Sequence, residues 1–220
     1  MQPWRLLDTG QRSAAENMCL DEAILMARAE GVIPNTLRFL EFRPGCVLVG
    51  YHQDPDSEIR ADFCRQAAIE VNRRITGGGA LYFGDGVLGW EFIADKESGP
   101  RDVLALYRKL CTATIEGLRI LGVDASFRPV NDIEVEGRKI SGTGGTEVRG
   151  AFLFQGTLLV DLDSGAVRYA VYKNIWSAAR LARQRAFRVE QTDNSLRATY
   201  FGGLEERMQE PFAFLHRMQT

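Results

Sequence analysis

Arg73-Arg74-Ile75-Thr76-Gly77-Gly78-Gly79 is the stretch that most narrows what this chain can fold into, because a strand-forming run ends there in three residues that lack a Cβ. A strand must be brought to an edge and turned at that point. Consecutive glycines let backbone N–H groups line a concavity suited to an anion, and they equally permit a plain tight turn; both readings fit the glycines alone. Arg73 and Arg74 alternate across a strand, so at most one of them points at whatever the glycines hold.

A second segment, residues 131–145, reads NDIEVEGRKISGTGG. It alternates like a strand through Ile133 and Val135, turns at Glu136-Gly137, and resumes with Lys139 and Ile140 before another glycine-rich stretch. Taken alone, Lys139 reads as an exposed turn lysine or as a compact cation placed for chemistry. Around these segments the pattern predicts a helix opening at Ser13 and running to about residue 29, with Met18, Leu20, Ile24, Leu25 and Ala27 on its apolar side. TLRFLEF and CVLVGY follow as strands joined by a hairpin-type turn at Arg43-Pro44-Gly45, then a short helix in EIRADFCRQAA and the strand IEVNRRIT. VLGWEFIA is a strand, DVLALYRKLCTATIEGLRILG a long amphipathic helix stopped by Gly122, and DIEVEG, GRKISG and AFLFQGTLLVDL complete the sheet. Strands joined mainly by short turns predict an α+β fold with a mixed, largely antiparallel sheet packed with helices.

Composition closes several function classes. The 27 basic and 29 acidic side chains leave a net charge of −2, and no basic run interleaved with aromatics is present, which argues against a nucleic-acid binder. No apolar run of about 18 residues and no signal-type N-terminus occur, so the expectation is a cytoplasmic protein with no membrane association. Cys19, Cys46, Cys64 and Cys111 are widely spaced in apolar surroundings and read as reduced thiols. His52 and His216 are the only histidines, too few for a His-centred triad or metal site.

The order of an Arg-x-Thr-Gly-Gly-Gly turn, Asn131-Asp132 followed by Lys139 within GRKISG, and FQGTLLVDLD at 154–163 resembles the biotin/lipoate ligase superfamily, lipoate-protein ligase A branch. The likeness extends over most of residues 1–163 and includes AENMCLDEAILMA and LRFLEFRPGCVLVGYHQ. It implies an ATP-dependent lipoate-protein ligase, which activates lipoate or octanoate to an acyl-adenylate and passes the acyl group to a lysine of a lipoyl carrier domain of E2 or H-protein type. Such chemistry needs electrostatic preorganisation and positioning rather than a protein nucleophile. The resemblance gives Lys139 the catalytic position between carboxylate and α-phosphate. Arg74, Thr76, Gly77, Gly78, Gly79, Ala80, Phe83, Asn131, Asp132, Gly144 and Gln155 become the substrate and ATP contacts, with Asp132 holding Mg2+. Phe83 and Trp90 read either as the lining of an acyl channel or as ordinary sheet-core aromatics.

The chain also departs from that family's pattern. Phe83-Gly84 stand where His-Asp is usual, Val87 and Gly89 where asparagines are, and Gln155 where a His precedes Gly-Thr-Leu. The alternatives are an octanoyl or lipoyl carrier-to-carrier acyltransferase of the same fold, working through a cysteine thioester, and a non-catalytic lipoate-binding relative. The transferase reading predicts a cysteine shortly before GRK, where this chain has Asn131-Asp132 and the nearest cysteine is Cys111. Residues 1–220 read as a single catalytic domain, with the core motifs in 1–163 and a C-terminal helical part in 164–220. The expectation is that the accessory C-terminal domain common to such ligases is absent, with a separate accessory subunit as a candidate partner. Within 164–220, RYAVYKNIWSAARLARQRAF reads as a basic helix, residues 188–202 as a loop, and GLEERMQEPFAFLHRM as a helix interrupted by Pro211.

Overall fold

A computed structural model describes residues 3–100 and 102–161 in full, together with the backbone of three later strands. The elements run β1 (Trp4–Arg12), α1 (Ala14–Ala29), β2 (Asn35–Phe42), β3 (Cys46–Val49), α2 (Pro55–Glu58), α3 (Ala61–Gln66), β4 (Glu70–Arg73), β5 (Leu81–Phe83), β6 (Val87–Asp95), α4 (Val103–Ile120), β7 (Ser126–Arg128), β8 (Asp132–Val135), β9 (Arg138–Val148) and β10 (Ala151–Leu159). After these come β11 (Phe187–Thr192), β12 (Ser195–Tyr200) and β13 (Leu204–Met208).

Seven strands form the main sheet in the order β1-β2-β6-β10-β9-β8-β7, antiparallel throughout except for the parallel β1–β2 edge pair. A smaller sheet, β4-β3-β5, mixes one parallel and one antiparallel pairing. The architecture is therefore α+β with a mixed, mostly antiparallel sheet, as the strand pattern predicts. Among the described residues no helix is long and apolar enough to cross a membrane.

The two faces of the main sheet carry different helices. Leu110, Cys111, Ile115 and Leu118 of α4 pack on one face with Trp90, Phe92, Phe152 and Phe154. Ile24 and Leu25 of α1 pack on the other with Ile93, Ala151 and Leu153. Side chains alternate along each strand, so Leu153 and Gln155 share the α1 face while Phe154 and Gly156 share the α4 face. Ile93 and Leu153 are completely buried, each contributing about 1.5–3 kcal/mol relative to exposure. Helix α1 starts as Ser13 predicts: its hydroxyl accepts from the Glu16 N–H, and the Glu16 carboxylate accepts from the Ser13 N–H, a reciprocal capping box.

Three sequence-based expectations change. TLRFLEF and CVLVGY do not form a hairpin, because β2 pairs with β1 and β6 while β3 leaves the main sheet to pair with β4 and β5. Arg43-Pro44-Gly45 is thus a corner between two sheets, with a cis peptide before the proline. Strand β1 was not evident because Asp8, Gly10 and Gln11 break its alternation; β2 supplies its partners. Within the stretch expected to be a loop, Phe187–Thr192 and Ser195–Tyr200 are strands, and Leu204–Met208 is a strand rather than a helix, since pairing with β12 outweighs the helical preference of Leu-Glu-Glu-Arg-Met. The basic stretch of 168–187 lies outside the described residues up to Phe187.

Candidate functional site

The glycine turn hangs from the small sheet over the α1 face of the main sheet. Strand β4 ends at Arg73, whose Nη1 donates to the carbonyls of Gly50, Tyr51 and Gln53 at 2.7–2.9 Å. Arg74 is 4% exposed, and its two terminal nitrogens donate to the carbonyls of Leu48 (2.8 Å), Gly77 (2.7 Å) and Gly79 (2.7 Å). Burial pulls its guanidinium down to about 10, which still leaves it cationic at neutral pH. Both arginines are therefore engaged with backbone, and in this structure Arg74 spends three donors on carbonyls of the turn and of β3. Its effect is indirect. Because a trans peptide points C=O and N–H in opposite directions, anchoring the Gly77 carbonyl on Arg74 turns the Gly78 N–H away from it. The loop also needs glycine for close packing: a Cβ on Gly50 would lie 2.1 Å from the Gly78 carbonyl oxygen, and Gly78 has φ +95°.

Thr76, 1% exposed, ties the loop to the sheet, its hydroxyl donating to Gln155 Oε1 at 2.9 Å. Gln155 stands in β10 opposite Gly144 of β9, and Gly142, two residues back on the same face, stands opposite Asp132 of β8. Lys139 lies over that bare strand, since a Cβ built on Gly142 would fall 2.8 Å from its Nζ. Its ammonium is 2.6 Å from Asp132 Oδ1, an ion pair outside hydrogen-bonding angles, while the other carboxylate oxygen accepts from Arg128 at 2.5 Å. A Cβ on Gly144 would meet nothing within 4 Å, and the same holds at Gly77. Gly144, Gln155 and Lys139 thus stand on one sheet face around the space above Gly144, and the glycine turn is tied to that face through Thr76.

The other expected site residues are engaged within the fold. Asn131 is occupied in clamping β9, donating to the Thr143 carbonyl at 2.5 Å while its own carbonyl accepts from the Thr143 hydroxyl at 2.8 Å. Ala80 belongs to the small-sheet core with Val47, Val49, Ile59 and Cys64. Phe83 packs with Phe42, Ala14 and Met18, its ring centroid 4.5 Å from that of Phe42. Trp90 fills the α4 side, where a Cβ on Gly156 would fall 2.2 Å from its ring. The two aromatics face different cores, so they do not line a common channel. Asp132 is engaged by two cations, Arg128 and Lys139, and among the described residues no group of three or more His, Cys, Asp or Glu side chains converges.

Arg128 and Gly50 were missed: neither has a local signal, and each matters only through its partner in another element. The buried cysteines are poor nucleophiles. Burial pushes the Cys46 and Cys64 thiols up, and pushes that of Cys111, whose sulfur sits 4.0 Å from the Thr143 hydroxyl, up to about 11.

A mixed sheet with this glycine turn and lysine-bearing strand defines a protein of the biotin/lipoate ligase-like fold. Residues 13–192 match the lipoyl protein ligase A/B catalytic domain, and the chain belongs to that family. It is 34% identical over 182 residues to octanoyltransferase LipM of Symbiobacterium thermophilum, covering 73% of this chain and 66% of that protein. It is likewise 34% identical over 188 residues to octanoyltransferase LipM of Bacillus subtilis, covering 74% and 67%. The chain thus spans about two thirds of the length of these relatives.

Among solved structures, a bipartite lipoate protein ligase from Thermoplasma acidophilum, described with its E2 lipoyl domain, superposes with TM-score 0.72 at 27% identity over 83% of this chain and 72% of that one. A lipoate-protein ligase A bound with ATP gives 0.70 at 29% identity over 78% and 72%. The family therefore includes ATP-binding ligases, but the expectation that this chain is one is overturned by its octanoyltransferase relatives. The expectation of ATP and Mg2+ as its cofactors rested on that reading.

Proposed function

We propose that this chain is an octanoyl or lipoyl acyltransferase, taking the acyl group from a carrier thioester and placing it on a lysine of a lipoyl carrier domain of E2 or H-protein type. The observation that carries this reading is the commitment of Arg73 and Arg74 to backbone carbonyls, which leaves Lys139, among the described residues, as the cation beside the open floor at Gly144. One ammonium and a few hydrogen-bond donors suit a single developing oxyanion. A triphosphate calls for several cations. The names of the relatives at 34% identity support the same choice.

The reaction is direct. The acceptor amine adds to the thioester carbonyl, the carbon–sulfur bond breaks, and the proton lost by nitrogen ends on the departing sulfur. Lys139 steadies the oxyanion and relays that proton, while Asp132, fixed by Arg128, keeps the ammonium over Gly142. Cys111 lies on the α4 side of the sheet and Cys46 and Cys64 are buried, while Cys19 is exposed on α1, so the proposed transfer is written without a cysteine intermediate. Intact mass of the protein after mixing with an octanoyl thioester, without acceptor, tests the direct route: no adduct is expected, and an octanoyl-cysteine species would replace it with a two-step transfer.

A further inference from the structure

We infer that Gln155 is a catalytic hydrogen-bond donor of the proposed transfer, its side-chain amide holding the thioester carbonyl oxygen in the open space above Gly144. The inference rests on the acyl-transfer reading and adds the residue that orients the acyl carbonyl. Gln155 Oε1 accepts the Thr76 hydroxyl at 2.9 Å, which occupies the oxygen side of the amide and leaves the Nε2 hydrogens on its other side. The side chain is half-buried on the α1 face and stands directly opposite Gly144. Above Gly144 a Cβ would meet nothing within 4 Å, although β10 is paired alongside it.

Lys139 bounds the same space from the other side. Its Nζ lies over Gly142, and residues two apart on one strand face are separated by about 7 Å, with neighbouring strands about 5 Å apart. An oxygen above Gly144 is thus within side-chain reach of both the amide and the ammonium. The two donors also differ in kind. Lys139 takes up or releases a proton, whereas the amide of Gln155 does neither and holds the carbonyl in every step. Thr76 is a positioning residue, since it reaches the substrate only through Gln155.

The test uses the whole chain with octanoyl-pantetheine thioester and an apo lipoyl domain. Gln155→Met keeps the length of the side chain without its donor, and is expected to lower kcat by about 100-fold with KM little changed, the size of effect typical of one preorganised donor. Thr76→Val should give a smaller loss of the same kind. Gly144→Ala places a methyl in the open space, where the extended backbone accepts it, and is expected to raise KM at least tenfold while the melting temperature stays put. As a readout independent of turnover, an octanoyl amide analogue labelled with 13C at the carbonyl should show a downfield shift on binding wild type that is lost with Gln155→Met.

Wild-type turnover with Gln155→Met and Gly144→Ala both within about threefold would overturn the inference and leave the acyl-transfer reading standing. An inactive wild type that still binds the analogue, with no Gln155-dependent carbonyl shift, would overturn both.

Discussion

Lys139 and Arg74 are both cations beside the glycine turn, yet they differ in what their charges face. Lys139 is partly exposed and held by Asp132, an ion pair that contributes little to stability at such exposure. Lys139→Ala should fold with a melting temperature close to that of wild type and lose roughly 10²–10³ in kcat for acyl transfer. Steady-state kinetics alongside thermal unfolding check this, and a variant within twofold of wild-type rate would remove Lys139 from the mechanism. Arg74 is the opposite case. Its guanidinium satisfies the carbonyls of Leu48, Gly77 and Gly79 from inside, so Arg74→Ala should destabilise the fold by about 2–4 kcal/mol and loosen the turn. An Arg74→Ala protein with unchanged denaturant midpoint would return Arg74 to a ligand-binding role.

At the level of elements, the contact of α1 with β2 and β6 contains a charge cluster that apolar patterning does not reveal. Arg38 donates to Asp21 at 2.6 Å, to Glu91 at 3.1 Å and to Asn17 at 2.5 Å, with all four side chains buried. Asp21 and Glu91 thus share one guanidinium, and each keeps an oxygen without a hydrogen-bond partner. Burial raises both carboxyls, Glu91 well above its usual 4.5 and with the Asp21 charge adding to the effect. The folded protein therefore binds more protons than the unfolded chain above the ordinary carboxylate range. Stability is fully present below about 4 and falls as pH rises through the folded value of Glu91. Glu91→Gln keeps the shape without the charge and should flatten that decline, as read from urea unfolding across pH 4–9; an unchanged pH slope would place the proton elsewhere. On the α4 side, Gly156→Ala would drive a methyl into the Trp90 ring and should cost about 1–3 kcal/mol without changing acyl-chain preference. A shift in chain preference without loss of stability would restore Trp90 to an acyl channel.

Across the whole molecule, what could be read from sequence was whatever depends on local periodicity. The Ser13 cap, α4 ending near Gly122, and the β8–β9 hairpin at Glu136-Gly137 follow from patterns within a few residues. The order of the turn, Asp132, Lys139 and Gln155 also singled out residues that meet in the fold, since Thr76 and Gln155 are hydrogen-bonded and Lys139 and Asp132 are ion-paired. Long-range partnership was not legible. That Arg73 and Arg74 would turn to carbonyls, that Phe83 and Trp90 would enter separate cores, and that Asp21 would be buried inside the stripe of α1 all depend on segments far away in sequence.

The central claim is that the acyl group comes from a thioester and not from a free acid activated by nucleotide. It is tested most directly by supplying the protein with an apo lipoyl domain under two conditions and following the mass of that domain. One reaction contains an octanoyl carrier thioester and no nucleotide; the other contains free octanoate with ATP and Mg2+. A gain of one octanoyl group is expected in the first and none in the second. Modification confined to the second, with pyrophosphate released, would contradict it.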